Sequence, residues 1–163
     1  MSQQDQTYRF FKSHAKEWQI KAEDEVFSTI HNRHQAVMET MKKYPTGSAL
    51  LDVGCGTGQL AIEASTNGWN SLGLDFAEDM IEIARKNNEN TSASAEFICG
   101  SVFDFESDQS FDVISAQGFI EYISLEQLDE FLQLLKSICN PGGSIAIGSR
   151  NRLFNVHSMN QFT

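Results

Sequence analysis

The stretch Leu50 to Ala61, LLDVGCGTGQLA, constrains this chain more than any other. An apolar run carries the acid Asp52, glycines stand at the alternate positions 54, 56 and 58, and helical apolar spacing follows. A buried strand, a glycine-rich turn and a helix in that order form the corner of an α/β sheet at which nucleotides are held. A length of 163 residues gives room for one such sheet with a real core, and not for two lobes.

Upstream of that corner, Phe11, Ala15 and Trp18, then Val26, Phe27 and Ile30, then Val37, Met38 and Met41 recur at helical spacing. Two or three helices therefore occupy Thr7 to about Lys43, and 1–43 reads as a helical cap segment before a core over 44–163. The aromatics Tyr8, Phe10, Phe11 and Trp18 either pack on the sheet's helices or cover its ligand edge. His14, His31 and His34 read as surface or packing residues. Tyr44-Pro45-Thr46-Gly47 ends the helical segment.

Downstream, Ala49 to Val53 reads as a strand buried on both faces. Leu60, Ala61 and Ala64 give a short helix that Asn67-Gly68 terminates, and Ser71 to Leu74 is a strand closing on Asp75. Glu78 to Asn87 is a helix with Met80, Ile81 and Ala84 on one face and acids in its first turn, followed by a polar loop to Ser94. Ala95 to Cys99 and Phe111 to Ala116 are the next strands. Ser124 and Gln127 have capping-box spacing, which opens a helix to about Cys139 with Leu128, Phe131, Leu132, Leu135 and Ile138 as its stripe. Pro141-Gly142-Gly143 makes a turn before a fifth strand, Ser144 to Gly148. Such alternation predicts a doubly wound α/β sheet with right-handed crossovers.

Acids outnumber Lys and Arg by 22 to 12, a formal net charge of −10, and no basic cluster occurs. A field of that sign repels phosphate backbones, so nucleic acid is not expected as a partner. No apolar run reaches the roughly 20 residues that span a bilayer, and MSQQDQTYRFFK lacks the pattern of a secretory signal. The expected setting is cytoplasmic, without a membrane partner. Cys55, Cys99 and Cys139 have no CxxC spacing and read as buried free thiols. The acids of GSVFDFESDQS have no accompanying His and read as a solvated loop, so no metal is expected.

The glycine spacing bears on the ligand. A dinucleotide fingerprint places its third glycine three residues after the second, which is Gln59 here. Instead the glycines alternate and Asp52 stands two residues before the first. An acid at that place suits a cation better than a pyrophosphate, and S-adenosylmethionine is a phosphate-free cation at both its ammonium and its sulfonium. Asp75, 17 positions after Gly58, closes the second strand where an acid can accept both hydroxyls of a ribose.

From DVGCGTG through GLDFAEDMI to FDVISAQGFIEYI and NPGG, about Leu50 to Ser149, the sequence resembles the class I S-adenosylmethionine-dependent methyltransferases. The resemblance implies a Rossmann-like, mostly parallel sheet with helices on both faces, and methyl transfer from S-adenosylmethionine to a small-molecule acceptor, leaving S-adenosylhomocysteine. It implies that Asp52, Gly54, Cys55 and Gly56 surround the methionine part, that Asp75 holds the ribose, and that Phe76 and Met80 flank the adenine. It sets Ser101, Val102 and Phe103 at the adenine edge, Gln117 near the sulfonium, and Phe119 to Tyr122 at the border of the acceptor pocket.

This chain departs from the family at Ala77, where a capping Ser or Thr is common, and at Ser101, where Asp is. The family's terminal antiparallel hairpin is also missing, since only RNRLFNVHSMNQFT remains after the fifth strand. Without it SIAIGS is left as an apolar edge open to pairing with another chain, as expected of the front part of a longer protein. Glu121, Tyr122 and His157 are the candidate bases for an acceptor proton, and Arg150, Asn151 and Arg152 candidate contacts to an acidic acceptor. Two other readings are a cofactor-binding module completed elsewhere and a nicotinamide-dependent oxidoreductase.

Overall fold

The structure is a computed structural model that describes residues 28–149. The aromatic cluster from Tyr8 to Trp18, with Val26, Phe27 and His14, lies outside those residues, as do Arg150, Asn151, Arg152 and His157. In chain order the elements are α1 (Ser28–Met41), β1 (Ala49–Val53), α2 (Gln59–Thr66), β2 (Asn70–Asp75), α3 (Glu78–Glu89), β3 (Glu96–Cys99), β4 (Phe111–Gln117), α4 (Leu125–Ile138) and β5 (Cys139–Gly148). Single 3-10 turns follow β3 at Val102–Asp104 and β4 at Ile120–Tyr122.

The strands lie in the order β3-β2-β1-β4-β5, and every pairing among the described residues is parallel. The doubly wound α/β expectation holds. All five residues of β1 are buried because helices cover both of its faces. Leu50 and Val113 face Val37 and Met41 of α1 and Leu60 and Ala64 of α2. Leu51, Val53, Ile114 and Ala116 face Phe131, Leu135 and Ile138 of α4. Ile81 and Ala84 of α3 pack with Phe97 and Ala61.

Element boundaries move by a few residues from those in the sequence. The helix after β2 runs on to Glu89, and its Asn88 side chain donates to the carbonyl of Ala95, shortening the polar loop. Leu132, expected in the core stripe of α4, is 40% exposed, because the buried side of that helix is narrowed to Phe131, Leu135 and Ile138. The capping box forms in full, Ser124 Oγ accepting from Gln127 N while Gln127 accepts from Ser124 N. Ser124→Ala should lower stability by about 1 kcal/mol in denaturant unfolding.

The Pro141-Gly142-Gly143 turn is instead a bulge inside β5. Phe111 pairs with Cys139 and Val113 with Ser144, so four residues of β5 oppose Asp112 alone. Asp112 holds the bulge by accepting from Asn140 Nδ2 at 2.8 Å and ties it to β1 by accepting from Ala49 N at 2.8 Å. The Tyr44 hydroxyl reaches Gly142 O and Ser144 Oγ across the same place.

Among the described residues β5 has no neighbour on its outer side, and Ile145 and Ile147 on it are 38% and 39% exposed. The cysteines are free, but their burial differs from expectation: Cys55 and Cys139 are half-buried and Cys99 is exposed. Cys99 closes β3 at the sheet's other edge, where no described strand covers it. No described helix is long and apolar enough to cross a membrane, and no described cluster of His, Cys, Asp and Glu could hold a metal.

Candidate functional site

The strand order reverses between β1 and β4, and open α/β sheets bind ligands outside the carboxyl ends of the strands at such a point. A cavity of about 370 Å³ opens there, within the range of small-ligand sites. Its floor is the glycine-rich turn between β1 and α2. Gly54, Gly56 and Gly58 all take positive φ, which no other residue type on the described chain does. At Gly58 (φ 81°) an added Cβ would lie 2.7 Å from the Phe97 ring and 2.9 Å from Ala84, so the turn, α3 and β3 close on one another only without a side chain. Gly58→Ala should cost about 2 kcal/mol in stability, read by thermal unfolding.

Four amides of this turn are already engaged. Gly54 N and Cys55 N donate to Leu74 O, Gly58 N donates to Cys55 O, and Gly56 N donates to Asp75 Oδ2 at 2.9 Å. A phosphate cradle needs such groups free and aimed outward. No Lys or Arg lines the cavity among the described residues, while Asp75 and Asp104 do. The turn is therefore held by the protein itself, and its electrostatics suit a cation.

Asp75 is the hinge of the arrangement. Its Oδ1 accepts from Ala77 N at 2.9 Å, fixing the residue that precedes α3, which has no side-chain cap, and its Oδ2 takes Gly56 N. Burial raises its pKa, while the Ala77, Gly56 and Phe76 amides pull the other way. Each carboxylate oxygen keeps a second lone pair, so the group can hold the turn and still accept from a ligand in the cavity it lines.

Gly54, Cys55, Gly56, Asp75, Phe76, Met80, Ser101, Val102 and Phe103 are brought together around this one cavity. Ser101 also caps the following 3-10 turn, its Oγ accepting from Phe103 N. Two expected members are not in the lining. Asp52 lies beneath the turn, 4% exposed and in register with Gly73 and Ser115. Burial pushes its carboxyl up to about 7, the Ser115 hydroxyl opposes the rise, and Asp75 adds to it. Strand alternation directs Gln117 to the face of Val113 and Ser115, where its Nε2 donates to Ala146 O in a groove beside Arg33 and Ala36. Gly118 and Phe119 line the cavity in its place.

Of the candidate bases, Tyr122 lines the cavity and Glu121 does not; Glu121 pairs with Arg33 across 4.0 Å. Sequence reasoning missed Asp104, Thr57 and, above all, His34, which lines the cavity with Ile30. The sign was available in the spacing, since Ile30, His34, Val37 and Met41 form one helical stripe. Burial, then His31 and Arg33, lower the His34 pKa to about 4.

The model of a family described as "Methyltransferase domain" matches residues 50–143. The ubiquinone biosynthesis O-methyltransferase of Nitrobacter winogradskyi is 30% identical over 106 residues, 65% of this chain and 40% of that protein. The chain spans less than half the length of the curated relatives it matches. The magnesium protoporphyrin IX methyltransferase of Synechocystis PCC 6803, solved with bound SAM, superposes with a TM-score of 0.73 at 17% identity, over 86% of this chain and 73% of that one. PKMT2 of Rickettsia typhi, solved with AdoHcy, gives 0.56 at 29% identity, over 60% of this chain and 20% of that one.

Proposed function

Because this chain belongs to the methyltransferase domain family, in its class I S-adenosylmethionine-dependent form, we propose that it transfers a methyl group from S-adenosylmethionine to the hydroxyl of a small apolar molecule. The observations that carry this reading are the amides of Gly54, Cys55, Gly56 and Gly58, engaged within the protein, and a cavity lined by carboxylates with no Lys or Arg among the described residues. A nicotinamide dinucleotide would have to place a pyrophosphate there against Asp75 and over Asp52.

The residues fit the cofactor. Asp75 would accept from the ribose, Phe76 and Met80 would flank the adenine, Ser101, Val102 and Phe103 would meet its edge, and the charge of Asp52 would favour the cationic end through the turn. Bound there, S-adenosylmethionine supplies a methyl group already activated for in-line displacement, so the chain's task is alignment and exclusion of water. The acceptor end, lined by Ile30, Phe119, Tyr122 and Ile123, is apolar and aromatic. It suits a ring-bearing acceptor, in keeping with relatives named as O-methyltransferases of ubiquinone biosynthesis. Residues 1–43, of which α1 is a described part, would cap the core 44–163. Three unpaired thiols accord with a reducing, cytoplasmic setting.

The test is formation of S-adenosylhomocysteine from S-adenosylmethionine across a panel of phenols, alcohols and amines. Turnover with a phenol supports the reading; cofactor binding without turnover on any acceptor favours a binding module completed elsewhere. Among the described residues the β5 edge, with Ile145 and Ile147 exposed on it, has no neighbour, which suits self-association there. Sedimentation of wild type against Ile147→Lys would separate a chain that pairs through this edge from a monomer.

A further inference from the structure

We propose that His34 is the base that takes the acceptor's hydroxyl proton during methyl transfer. The inference rests on the methyl-transfer reading above and deepens it. His34 is half-buried and interrupts an otherwise apolar stripe that runs from half-buried Ile30 to Val37 and Met41, 1% and 2% exposed. Among the described residues none donates to or accepts from its imidazole, which leaves both ring nitrogens available to a ligand. It opens instead into the cavity.

Its place is at the acceptor end. Arg33, next in sequence, reaches Glu121 at 4.0 Å, and its Nη1 lies 3.1 Å from where a Cβ on Gly118 would stand, so α1 is joined to the segment that carries Phe119 and Tyr122. The charged and titratable groups around the ring are His31 and Arg33 on α1, Glu121 and Tyr122 after β4, Asp75 and Asp104 across the cavity, and Asp52 below the turn. Asp75 is engaged with Gly56 and Ala77, Asp104 belongs to the 3-10 turn at the adenine end, and Glu121 faces Arg33 outside the cavity. A neutral imidazole also tolerates a cationic methyl donor close by, as an imidazolium would not, and burial keeps this one neutral at pH 7. The balance is simple. The acceptor O–H proton passes to an imidazole nitrogen as its oxygen takes the methyl group, and the electron pair of the broken carbon–sulfur bond stays on sulfur. The imidazolium then returns its proton to water.

Catechol serves as the probe acceptor. His34→Gln should lower kcat about a hundredfold or more, with KM for catechol changed by no more than about threefold and S-adenosylhomocysteine affinity unchanged. Wild-type kcat should be flat between about pH 6 and 8, while the variant's should climb about tenfold per pH unit, because only catechol already ionised can react. Independently of turnover, catechol added to 15N-histidine-labelled protein with S-adenosylhomocysteine should move the one imidazole resonance that is missing from His34→Gln. Wild-type kcat and pH profile in His34→Gln, loss of kcat in Tyr122→Phe instead, catechol binding that moves no imidazole, or no catechol binding at all to the loaded protein would each overturn the proposal. Failure of the wild type to bind S-adenosylmethionine would instead remove the methyl-transfer reading on which it stands.

Discussion

Asp75→Ala is expected to weaken S-adenosylmethionine binding about a hundredfold, roughly 3 kcal/mol, in calorimetric titration. The substitution removes two things at once. It takes away the carboxylate proposed to accept from a ribose, and it frees Gly56 N and Ala77 N, each held at 2.9 Å, so that the turn and the start of α3 lose their common anchor. Asp75→Asn separates the two contributions. One amide oxygen can still take one of the two backbone donors, but the NH₂ group meets the other donor and cannot accept, so an intermediate loss is expected. Both variants should keep the wild-type circular dichroism, since the sheet is held by pairings that do not involve this side chain. Affinity within about threefold of wild type in Asp75→Ala would remove this carboxylate from the site.

Asp52→Asn should make the protein more stable and bind its cofactor less well. The Asp52 carboxyl titrates near 7 in the folded chain against 3.8 for an ordinary aspartate, chiefly because it is buried. The folded state therefore holds a proton that the unfolded chain releases as pH rises above about 4, so wild-type stability falls between about pH 4 and 7 and levels off beyond. The full shift is worth at most about 4 kcal/mol, with screening and relaxation reducing it. The asparagine variant lacks this titration. Its advantage over wild type should be largest at pH 8 and shrink toward pH 5, as read by denaturant unfolding at both values. A cationic ligand above the turn favours the ionised carboxylate, so cofactor binding below pH 7 should release a proton in the wild type and none in the variant. Calorimetry in buffers of different ionisation enthalpy measures that difference. A variant less stable than wild type at pH 8 would contradict the burial argument.

These two acids also show what was legible before the structure. The strands, the helices and the doubly wound class followed from local signals strong enough to act alone: a five-residue apolar run for β1, the capping box at Ser124, and the alternate glycines of the turn. Nine lining residues around the cavity followed too, because each stands at a strand's carboxyl end or in the segment just after one. What failed was the direction of side chains. Asp52 and Gln117 are near the ligand edge along the chain, but the alternation of β1 and β4 directs them under the sheet surface and toward α1. His34 failed for the opposite reason. A lone histidine on a helix carries no signal by itself, and only the packing of α1 over β1 and β4 shows that its stripe ends at the cavity. The bulge at Pro141-Gly142-Gly143 was hidden because its cause, the Asp112 carboxylate between Ala49 and Asn140, is a contact across 28 to 63 residues of chain.

Calorimetric titration with S-adenosylmethionine, S-adenosylhomocysteine and NAD, each alone, tests the central claim most directly. The turn with engaged amides and acids beneath and beside it predicts saturable one-to-one binding of both adenosyl ligands and no heat of binding from NAD. Binding of NAD without binding of either adenosyl ligand would contradict it.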